Sequence, residues 1–583
     1  MSDQQSKVEQ DRKLLNDAQA KGTGATLGAY MRLSGPGWLQ SAITLGGGSL
    51  AGALFLGALG GVSMLWLQLM AIVMGVVMLS AISYVTLSTG ERPFDAINQH
   101  INPVLGWGWL IATSLANMIW CMPQFSLCYT SLNNNLLPDA WEDSRSAQVI
   151  VSLIILAIVS FVVFLNARRG AAAKVFDLLL KGLVGMIVLC FFGVVVVLTL
   201  QGQLDWGAIF AGFIPDPSQL FNPSGEIGAL VAGLPEAGQA FWSSEIVPMQ
   251  RDQMIAATAT AVGINMTFLM PYSMLHRGWD KTFRGLARFD LMTGMAIPYV
   301  VVTSCVVIAA AFAFNAKADA EFLSTDPATF QTSPLFKETS GTLWKRVATE
   351  SEAGTPYADL SAPEQAAAVA RMAALPEAEK RIAASTVKRN AAALAGTLAP
   401  LIGEKNANRV FGLGVFGMGF STIIILMLIN GFVFCEAVGK PDHKMYYAAG
   451  CLVAGVIGAM WPFVWGGTSQ FWFTVVASTF GAMLLPIAYV TFYMMMNSRS
   501  LMGAEKPTGG RMLAWNVLMG VSTLGATVWA ITSIYNKATN TSSPQTALEG
   551  KVIIGMVVVY LALVVIGFFV KPKSAAAAKS VTG

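Results

Sequence analysis

The stretch Thr44-Leu45-Gly46-Gly47-Gly48-Ser49 lies in the middle of a long apolar run. Three consecutive glycines cost roughly 1 kcal/mol each relative to alanine inside a helix, and Ser49 is a residue type that caps the start of a new helix. A second apolar run contains Met270-Pro271-Tyr272-Ser273, where the proline removes a backbone donor. The two stretches predict two interrupted membrane helices. Close helix packing at the glycines and an ordinary kink at the proline are the alternatives.

Composition places the chain in a membrane. Only 12% of its 583 residues are charged, while 54% are apolar. Soluble domains carry roughly 25% charged residues, so a cytosolic enzyme is excluded, and a disordered chain would need the opposite balance. The net charge of +4 gives no indication of nucleic-acid binding. The lipid bilayer is the one large partner that the sequence implies, and protein partners remain open.

Twelve apolar runs are long enough to cross a bilayer, which needs about 20 residues per helix. They lie near 34–58, 62–87, 105–132, 147–165, 174–200, 255–275, 289–315, 410–436, 445–465, 468–496, 511–534 and 550–570. With the N-terminus inside, the cytoplasmic loops carry most of the Lys and Arg, and the short external loops carry only Arg145 and Lys537. We therefore expect a multi-pass protein of a bacterial-type inner or plasma membrane with both termini in the cytoplasm.

The chain divides into five predicted segments, and the predicted fold class is an all-α integral membrane protein. Residues 1–33 form a cytoplasmic N-terminal tail, 34–315 hold transmembrane helices 1–7, 316–409 form an external hydrophilic insertion, 410–571 hold transmembrane helices 8–12, and 572–583 form a cytoplasmic tail. The middle of the insertion, Ala362–Ala395, is rich in residues that favour helix. A small external helical element is expected there.

The two interrupted helices are the first and the sixth, so they are separated by five spans. Two inverted repeats of five helices would interrupt corresponding helices at these positions, and such interruptions form the binding sites of secondary transporters. No nucleophile elbow, zinc-protease motif or phosphate loop is present. We expect a transporter rather than an enzyme, with no cofactor.

Several short segments resemble the Nramp family of divalent-metal transporters, in the same order along about 35–503. They are Ser34-Gly35-Pro36-Gly37-Trp38-Leu39, Met270-Pro271, Arg288-Phe289-Asp290-Leu291, Leu398-Ala399-Pro400-Leu401-Ile402-Gly403, Leu485-Pro486 and Asn497-Ser498-Arg499-Ser500-Leu501-Met502-Gly503. The resemblance implies a LeuT-like fold of ten core helices plus two. It also implies transport of a divalent metal ion, coupled to an ion gradient.

The resemblance also implies a substrate site, from which the family's charged ligand is missing. The positions of the family's Asp-Pro-Gly-Asn are occupied by Gly46, Gly47, Gly48 and Ser49, with Leu45 before them. The methionine ligand is Met270, followed by Pro271 and by Tyr272 in place of a histidine, and the family's glutamine falls near Ser478. These nine residues are the expected substrate-binding positions, and Met270 and Ser49 are the expected metal ligands.

The chemistry of these residues leaves the substrate open. No carboxylate offsets the dehydration of a divalent ion, and the family's acidic positions in span 3 fall at Thr113, Trp120 and Pro123, which makes proton coupling doubtful. A small organic solute such as an amino acid is the alternative, its carboxylate held by the start of the helix after the glycines.

A sodium site is a further hypothesis. The adjacent hydroxyls of Ser421 and Thr422 in span 8 are expected to face the span-1 carbonyls. The alternative is that both hydroxyls bond within their own helix.

Overall fold

The computed structural model describes residues 2–138, 140–166, 171–349, 354–389, 403–441, 443–465, 470–539 and 544–569. Every regular element within these ranges is a helix. A helix satisfies its own backbone hydrogen bonds, which an apolar membrane interior requires. The predicted tail 572–583 lies outside the described residues, as do residues 350–353 and 390–402 of the predicted insertion.

The chain up to residue 276 carries the first six predicted spans. Its helices are α1 (Ser2–Lys21), α2 (Thr23–Leu33), α3 (Pro36–Thr44), α4 (Gly47–Gly60), α5 (Leu65–Thr89), α6 (Pro93–His100), α7 (Pro103–Ser131), α8 (Arg145–Asn166), α9 (Ala171–Leu200), α10 (Trp206–Ala211), α11 (Gly225–Ala232), α12 (Glu236–Ala261) and α13 (Ile264–His276). Short 3-10 turns form at Gly61–Met64 and Pro217–Leu220, and a π-turn at Leu132–Leu136 extends α7.

The remainder of the chain carries the insertion and the last six spans. Its helices are α14 (Arg284–Leu291), α15 (Ile297–Phe314), α16 (Ala320–Leu323), α17 (Pro327–Thr332), α18 (Pro334–Val347), α19 (Ala362–Ala373), α20 (Glu377–Ser385), α21 (Glu404–Ala437), α22 (Lys444–Ala459), α23 (Trp461–Val464), α24 (Gln470–Asn497), α25 (Arg499–Met502), α26 (Gly509–Ala538) and α27 (Pro544–Phe569). A π-turn at Met292–Ala296 joins α14 to α15, and 3-10 turns form at Lys281–Phe283, Tyr357–Asp359 and Gly503–Glu505.

Nine helical segments of the described chain are long and apolar enough to cross a membrane. They account for predicted spans 2, 3, 4, 5, 7, 8, 10, 11 and 12, and the first of them, Gly47–Thr89, also includes α4 of span 1. The other three predicted spans are the interrupted pairs α3–α4 and α12–α13, and the 16-residue helix α22. Each predicted apolar run is therefore a helix in the structure.

Helix α21 lies at the centre of the helical bundle and α27 at its edge. In the most apolar stretch of α21, 89% of the residues are buried, against 6% in α27. Helix α21 packs on α3, α7, α9 and α22. Because α27 is apolar on all sides and is covered by little protein, its surface is suited to lipid.

The insertion folds as a small helical unit with its own apolar core. Trp344 of α18, Met372 of α19 and Ile382 of α20 are buried in it together with Val231 of α11 and Trp242 of α12. The helices α19 and α20 lie within the Ala362–Ala395 stretch that was expected to be helical. The insertion therefore packs on the first turns of α12.

The N-terminal segment packs at the other end of the same interrupted helix. It forms the helices α1 and α2. Arg12 of α1 donates to Asp280 Oδ2 at 2.8 Å, in the loop that follows α13, and Leu15 is fully buried. The insertion and the N-terminal helix thus contact opposite ends of the α12–α13 pair.

Candidate functional site

Span 1 is interrupted at Leu45 and Gly46, as the glycine run predicts. Helix α3 ends at Thr44, and Gly46 is extended (φ −94°, ψ 177°) before α4 begins. The cap residue of α4, Gly46, has no side chain that could cap the helix. The N–H of Gly47 donates instead to Gln124 Oε1 of α7 at 3.0 Å. A polar side chain of another span thus satisfies the first free donor of α4.

Ser49 has a different role from the predicted one. The prediction that it caps α4 is wrong, because Gly46 occupies the cap position. The Ser49 hydroxyl donates to Thr44 O at 2.5 Å and lies 3.3 Å from Thr260 O. Since Thr260 is the second-last residue of α12, this side chain connects the two interrupted helices directly.

Span 6 is interrupted eight residues before the predicted position. The break lies at Val262 and Gly263, between α12 and α13, and Pro271 is in the interior of α13. A β-carbon at Gly263 would come within 2.5 Å of the Trp120 ring. The close approach of Trp120 therefore requires glycine there, whereas the missing donor of Pro271 is tolerated inside a packed membrane helix.

A small cavity lies where the two interruptions meet. It is lined by Ile43, Gly46, Gly48, Ser49, Trp120, Pro123, Gln124, Thr260, Thr422, Thr474, Ala477 and Ser478. Its volume is about 20 Å³, and a single water needs roughly 10–15 Å³. The space fits one water-sized species, such as a monatomic ion.

Four of the expected binding residues line this cavity, and the others lie nearby or elsewhere. Gly46, Gly48, Ser49 and Ser478 are among its walls. Leu45 and Gly47 lie in the same turn of chain without lining it. Sequence reasoning missed Gln124, Thr260 and Thr474, for which the available signal is an uncharged polar residue inside an apolar run.

None of the described residues that line the cavity is charged. Within the described residues, no group of three or more His, Cys, Asp and Glu side chains could hold a metal ion. The soft donor beside the span-1 break is Met266, whose sulfur accepts from Thr44 Oγ1 at 3.6 Å. Met270 is one helical turn further along α13 and is fully buried. Neither methionine lines the cavity directly, and Met266 is the one in contact with the span-1 break.

Tyr272 belongs to a polar network at the far end of α13. Its hydroxyl donates to Glu436 Oε2 at 3.0 Å and accepts from the N–H of Phe94 at 3.2 Å. Glu436 also accepts from Arg92 Nε at 2.9 Å, and the Tyr272 ring stacks on Phe268 with centroids 4.3 Å apart. This network links α13 to the end of α21, so Tyr272 and the neighbouring Pro271 are separated from the cavity.

The hydroxyls of Ser421 and Thr422 face span 1 and also bond within their own helix. Ser421 Oγ donates to Ala42 O at 2.8 Å, and Thr422 Oγ1 lies 3.4 Å from the same oxygen. Both also lie within reach of Met418 O, at 3.2 and 2.8 Å. The two hydroxyls therefore approach both a span-1 carbonyl and a carbonyl of their own helix. A sodium site here stays a prediction.

The start of span 1 is held by a buried carboxylate. Asp290 of α14 accepts from the Ser34 hydroxyl and from the N–H groups of Gly35 and Gly37, at 3.1 and 2.7 Å for the latter two. A β-carbon at Gly37 would come within 2.0 Å of Asp290 O. The Gly-Pro-Gly segment thus allows α14 to cap α3 at close range.

Together these features define an integral membrane protein with two interrupted helices around a central cavity, which is the architecture of a class of secondary transporters. The chain belongs to the natural resistance-associated macrophage protein-like (Nramp) family, whose model matches residues 37–348 and 366–536. The family resemblance predicted from the short motifs is confirmed, and members of this family are transporters. No curated protein matches the chain by sequence.

Solved structures with a similar fold include those of a manganese transporter. The chain is similar to the Eremococcus coleocola manganese transporter in complex with an aromatic bis-isothiourea substituted compound, with a TM-score of 0.57, 16% identity, and coverage of 93% of this chain and 94% of that one. A histidine-to-alanine mutant of that transporter has a TM-score of 0.56 at 16% identity, covering 93% and 95% of the two chains. A glutamate-to-glutamine mutant gives 0.56 at 15%, with the same coverage. The predicted LeuT-like fold with interrupted helices 1 and 6 is confirmed.

Proposed function

We propose that this protein is a secondary transporter that moves a divalent metal ion through the cavity between the two helix interruptions. The observation that carries the proposal is the meeting of both interruptions at a cavity of about 20 Å³. Membership of the Nramp family and similarity to manganese transporters support the same substrate class. A volume of this size is large enough for an ion.

The proposed ion meets neutral donors. The nearest are the hydroxyls and carbonyls around Ser49 and the Ser478 hydroxyl. The sulfur of Met266 lies behind this wall, where it accepts from Thr44 Oγ1. Without a carboxylate, the site lacks a Coulomb attraction that is worth several kcal/mol at low dielectric. We therefore expect weaker metal binding than a site with an aspartate would provide.

A small organic solute is the second candidate, and the neutral walls of the cavity favour it. The start of α4 is a helix N-terminus of the kind that binds carboxylates. Against it, the N–H of Gly47 is already bonded to Gln124, and the cavity is small in this conformation.

The decisive experiment is uptake of Mn²⁺ into liposomes, with Mg²⁺ and Ca²⁺ measured alongside and a pH gradient imposed or removed. We expect saturable uptake of a divalent ion by the wild-type protein. If a correctly folded protein takes up none of the three, the metal proposal fails, and a panel of amino acids with and without sodium becomes the assay.

Two matched methionine variants test which sulfur meets the ion. Met266 and Met270 are both fully buried in α13, one turn apart, so truncating either leaves a comparable packing defect. We expect Met266→Ala to raise the Mn²⁺ concentration for half-maximal uptake about tenfold, since it removes a ligand to a charged species. Met270→Ala should raise this concentration less. A larger effect of Met270→Ala than of Met266→Ala would mean that Met270 is the ligand.

Sodium coupling is proposed at Ser421 and Thr422, because both hydroxyls approach Ala42 O. Replacing external sodium with choline should then slow uptake. Thr422→Val, which keeps the shape and removes the hydroxyl, should abolish the sodium effect. Uptake that is unchanged without sodium would rule the site out.

We further propose that both termini are cytoplasmic, in a bacterial-type inner or plasma membrane. The distribution of Lys and Arg in short loops supports this orientation. The ion pair of Arg12 with Asp280 is consistent with it, because it keeps the N-terminal helix beside the loop after α13.

A further inference from the structure

Helix α13 packs on α3 and α7, and these three helices carry four fully buried uncharged side chains. Gln40, Thr113, Asn117 and Asn265 are all 0% exposed. Gln40 Nε2 donates to Met266 O at 3.0 Å, which places its amide beside that turn. Asn265 is itself the second residue of α13.

The positions of Thr113 and Asn117 follow from two tryptophans on the same helix. Trp109 Nε1 donates to Thr267 Oγ1 at 2.9 Å, and Trp120 contacts Gly263. Thr113 and Asn117 lie between these tryptophans at spacings of four, four and three residues, so all four share one face of α7. That face points at the start of α13.

Five polar atoms of this group have no hydrogen-bond partner among the described residues. They are Gln40 Oε1, Thr113 Oγ1, Asn117 Oδ1, Asn117 Nδ2 and Asn265 Nδ2. Leaving a buried polar atom unpaired costs free energy that an apolar residue of the same shape would not cost. Polar side chains inside a membrane span commonly mark the path of a substrate.

We propose that Gln40, Thr113, Asn117 and Asn265 form an inner polar site that binds a divalent cation together with part of its water shell. This inference rests on the proposed function. Amide oxygens and hydroxyls can accept from the waters or ligate the ion, and amide N–H groups can donate to the water oxygens. The site adjoins the cavity, since Trp120 lines the cavity and also contacts Gly263.

The inner polar site offers a physical answer to the missing carboxylate. Small divalent ions such as Mg²⁺ lose their water reluctantly. An ion that keeps some of its waters retains part of its hydration energy, and a ring of amides and hydroxyls can hold those waters by hydrogen bonds. The retained waters, held by neutral side chains, then stabilise the ion in place of a carboxylate.

Asn117→Leu is the first test, with Ser126→Ala as its matched control. Ser126 is also on α7, fully buried and without a hydroxyl partner among the described residues, but nine positions away, on the opposite face of the helix. We expect Asn117→Leu to lower Mn²⁺ uptake at least about tenfold while the melting temperature stays equal or rises. Ser126→Ala should transport like the wild type. Wild-type uptake by Asn117→Leu would overturn the proposal.

Asn117→Asp tests whether the bound species carries a positive charge. A carboxylate of the same shape should lower the Mn²⁺ concentration for half-maximal binding and slow turnover, because the ion is held more tightly. Weaker Mn²⁺ binding by a folded Asn117→Asp protein would contradict a cation site.

The two proposals fail in different ways. If the wild type transports Mn²⁺ and the Asn117 variants do so equally well, the inner polar site is absent and the proposed function stands. If the wild type transports no divalent ion, the readout is the Mn²⁺-dependent rise in melting temperature. Loss of the Mn²⁺-dependent rise in Asn117→Leu would support the inner polar site, and an unchanged rise would contradict it.

Discussion

At the scale of single residues, close contacts decide where glycine is needed. Gly37 lies against the Asp290 backbone, and Gly263 lies against the Trp120 ring. Neither position has a positive φ, so the requirement is one of space and not of backbone conformation. The sequence alone revealed the first as part of a motif and gave no signal for the second.

Gly263→Ala is expected to destabilise the protein. The new β-carbon would come within 2.5 Å of the Trp120 ring, and this ring cannot yield freely because its Nε1 donates to Ala477 O at 2.7 Å. Overpacking of this kind costs about 1–3 kcal/mol, which is measurable as a lower melting temperature in detergent.

The control for this variant is Gly182→Ala, in α9, where a β-carbon meets nothing within 4 Å. Alanine in an open helical position should be neutral or slightly stabilising. Equal melting temperatures of the two variants would mean that Trp120 does not set the position of the span-6 break.

The sequence located the binding residues only in part, for a reason of packing. Gly46, Gly48, Ser49 and Ser478 follow from the family alignment and do line the cavity. Met266 and Met270 are one turn apart on the same apolar helix, and only the position of the break decides which of them lies beside Thr44. Local patterns do not contain that information.

At the scale of elements, a buried carboxylate of the insertion forms an ion pair within the insertion and a hydrogen bond to span 6. Glu379 of α20 accepts from Trp242 Nε1 of α12 at 2.9 Å and from Arg346 Nε of α18 at 2.6 Å. The Glu379 side chain is 2% exposed. The insertion is thus fixed to the first turns of α12 by an apolar core and by a charged contact inside it.

Glu379→Gln is expected to loosen the insertion. The substitution keeps the shape and removes the charge, so Arg346 loses its ionic partner. We expect the local free energy of unfolding to fall by about 2 kcal/mol, seen as faster hydrogen exchange in α20.

Glu377→Gln on the same helix provides the comparison. Glu377 pairs with Arg381 across one turn, at 2.6 Å and with both side chains exposed. Such surface pairs contribute about 0.5 kcal/mol or less. Hydrogen exchange that is equally fast in both variants would show that the buried position of Glu379 adds nothing.

At the scale of the whole molecule, the length and order of apolar runs determined most of the fold. Each of the twelve runs is a helix, because a bilayer allows few other ways to satisfy the backbone. The helical insertion followed from its helix-favouring composition. The N-terminal segment was harder to predict, because its helices α1 and α2 depend on contacts such as that of Arg12 with Asp280.

The orientation in the membrane can be tested with single cysteines at two exposed positions. Asp17 is exposed on α1 and Lys337 on α18. With a membrane-impermeant maleimide added to intact cells, Lys337→Cys should be labelled and Asp17→Cys should be protected until the cells are opened. Labelling of both or the opposite pattern would contradict the proposed topology.

The attachment of the insertion to α12 has a mechanical consequence. Its core also includes Leu59, at the end of α4. The insertion therefore contacts one half of each interrupted helix, α4 of span 1 and α12 of span 6. We expect a rigid antibody fragment bound to the insertion to restrict the relative movement of α4 and α12. Such a fragment would slow transport without touching the cavity.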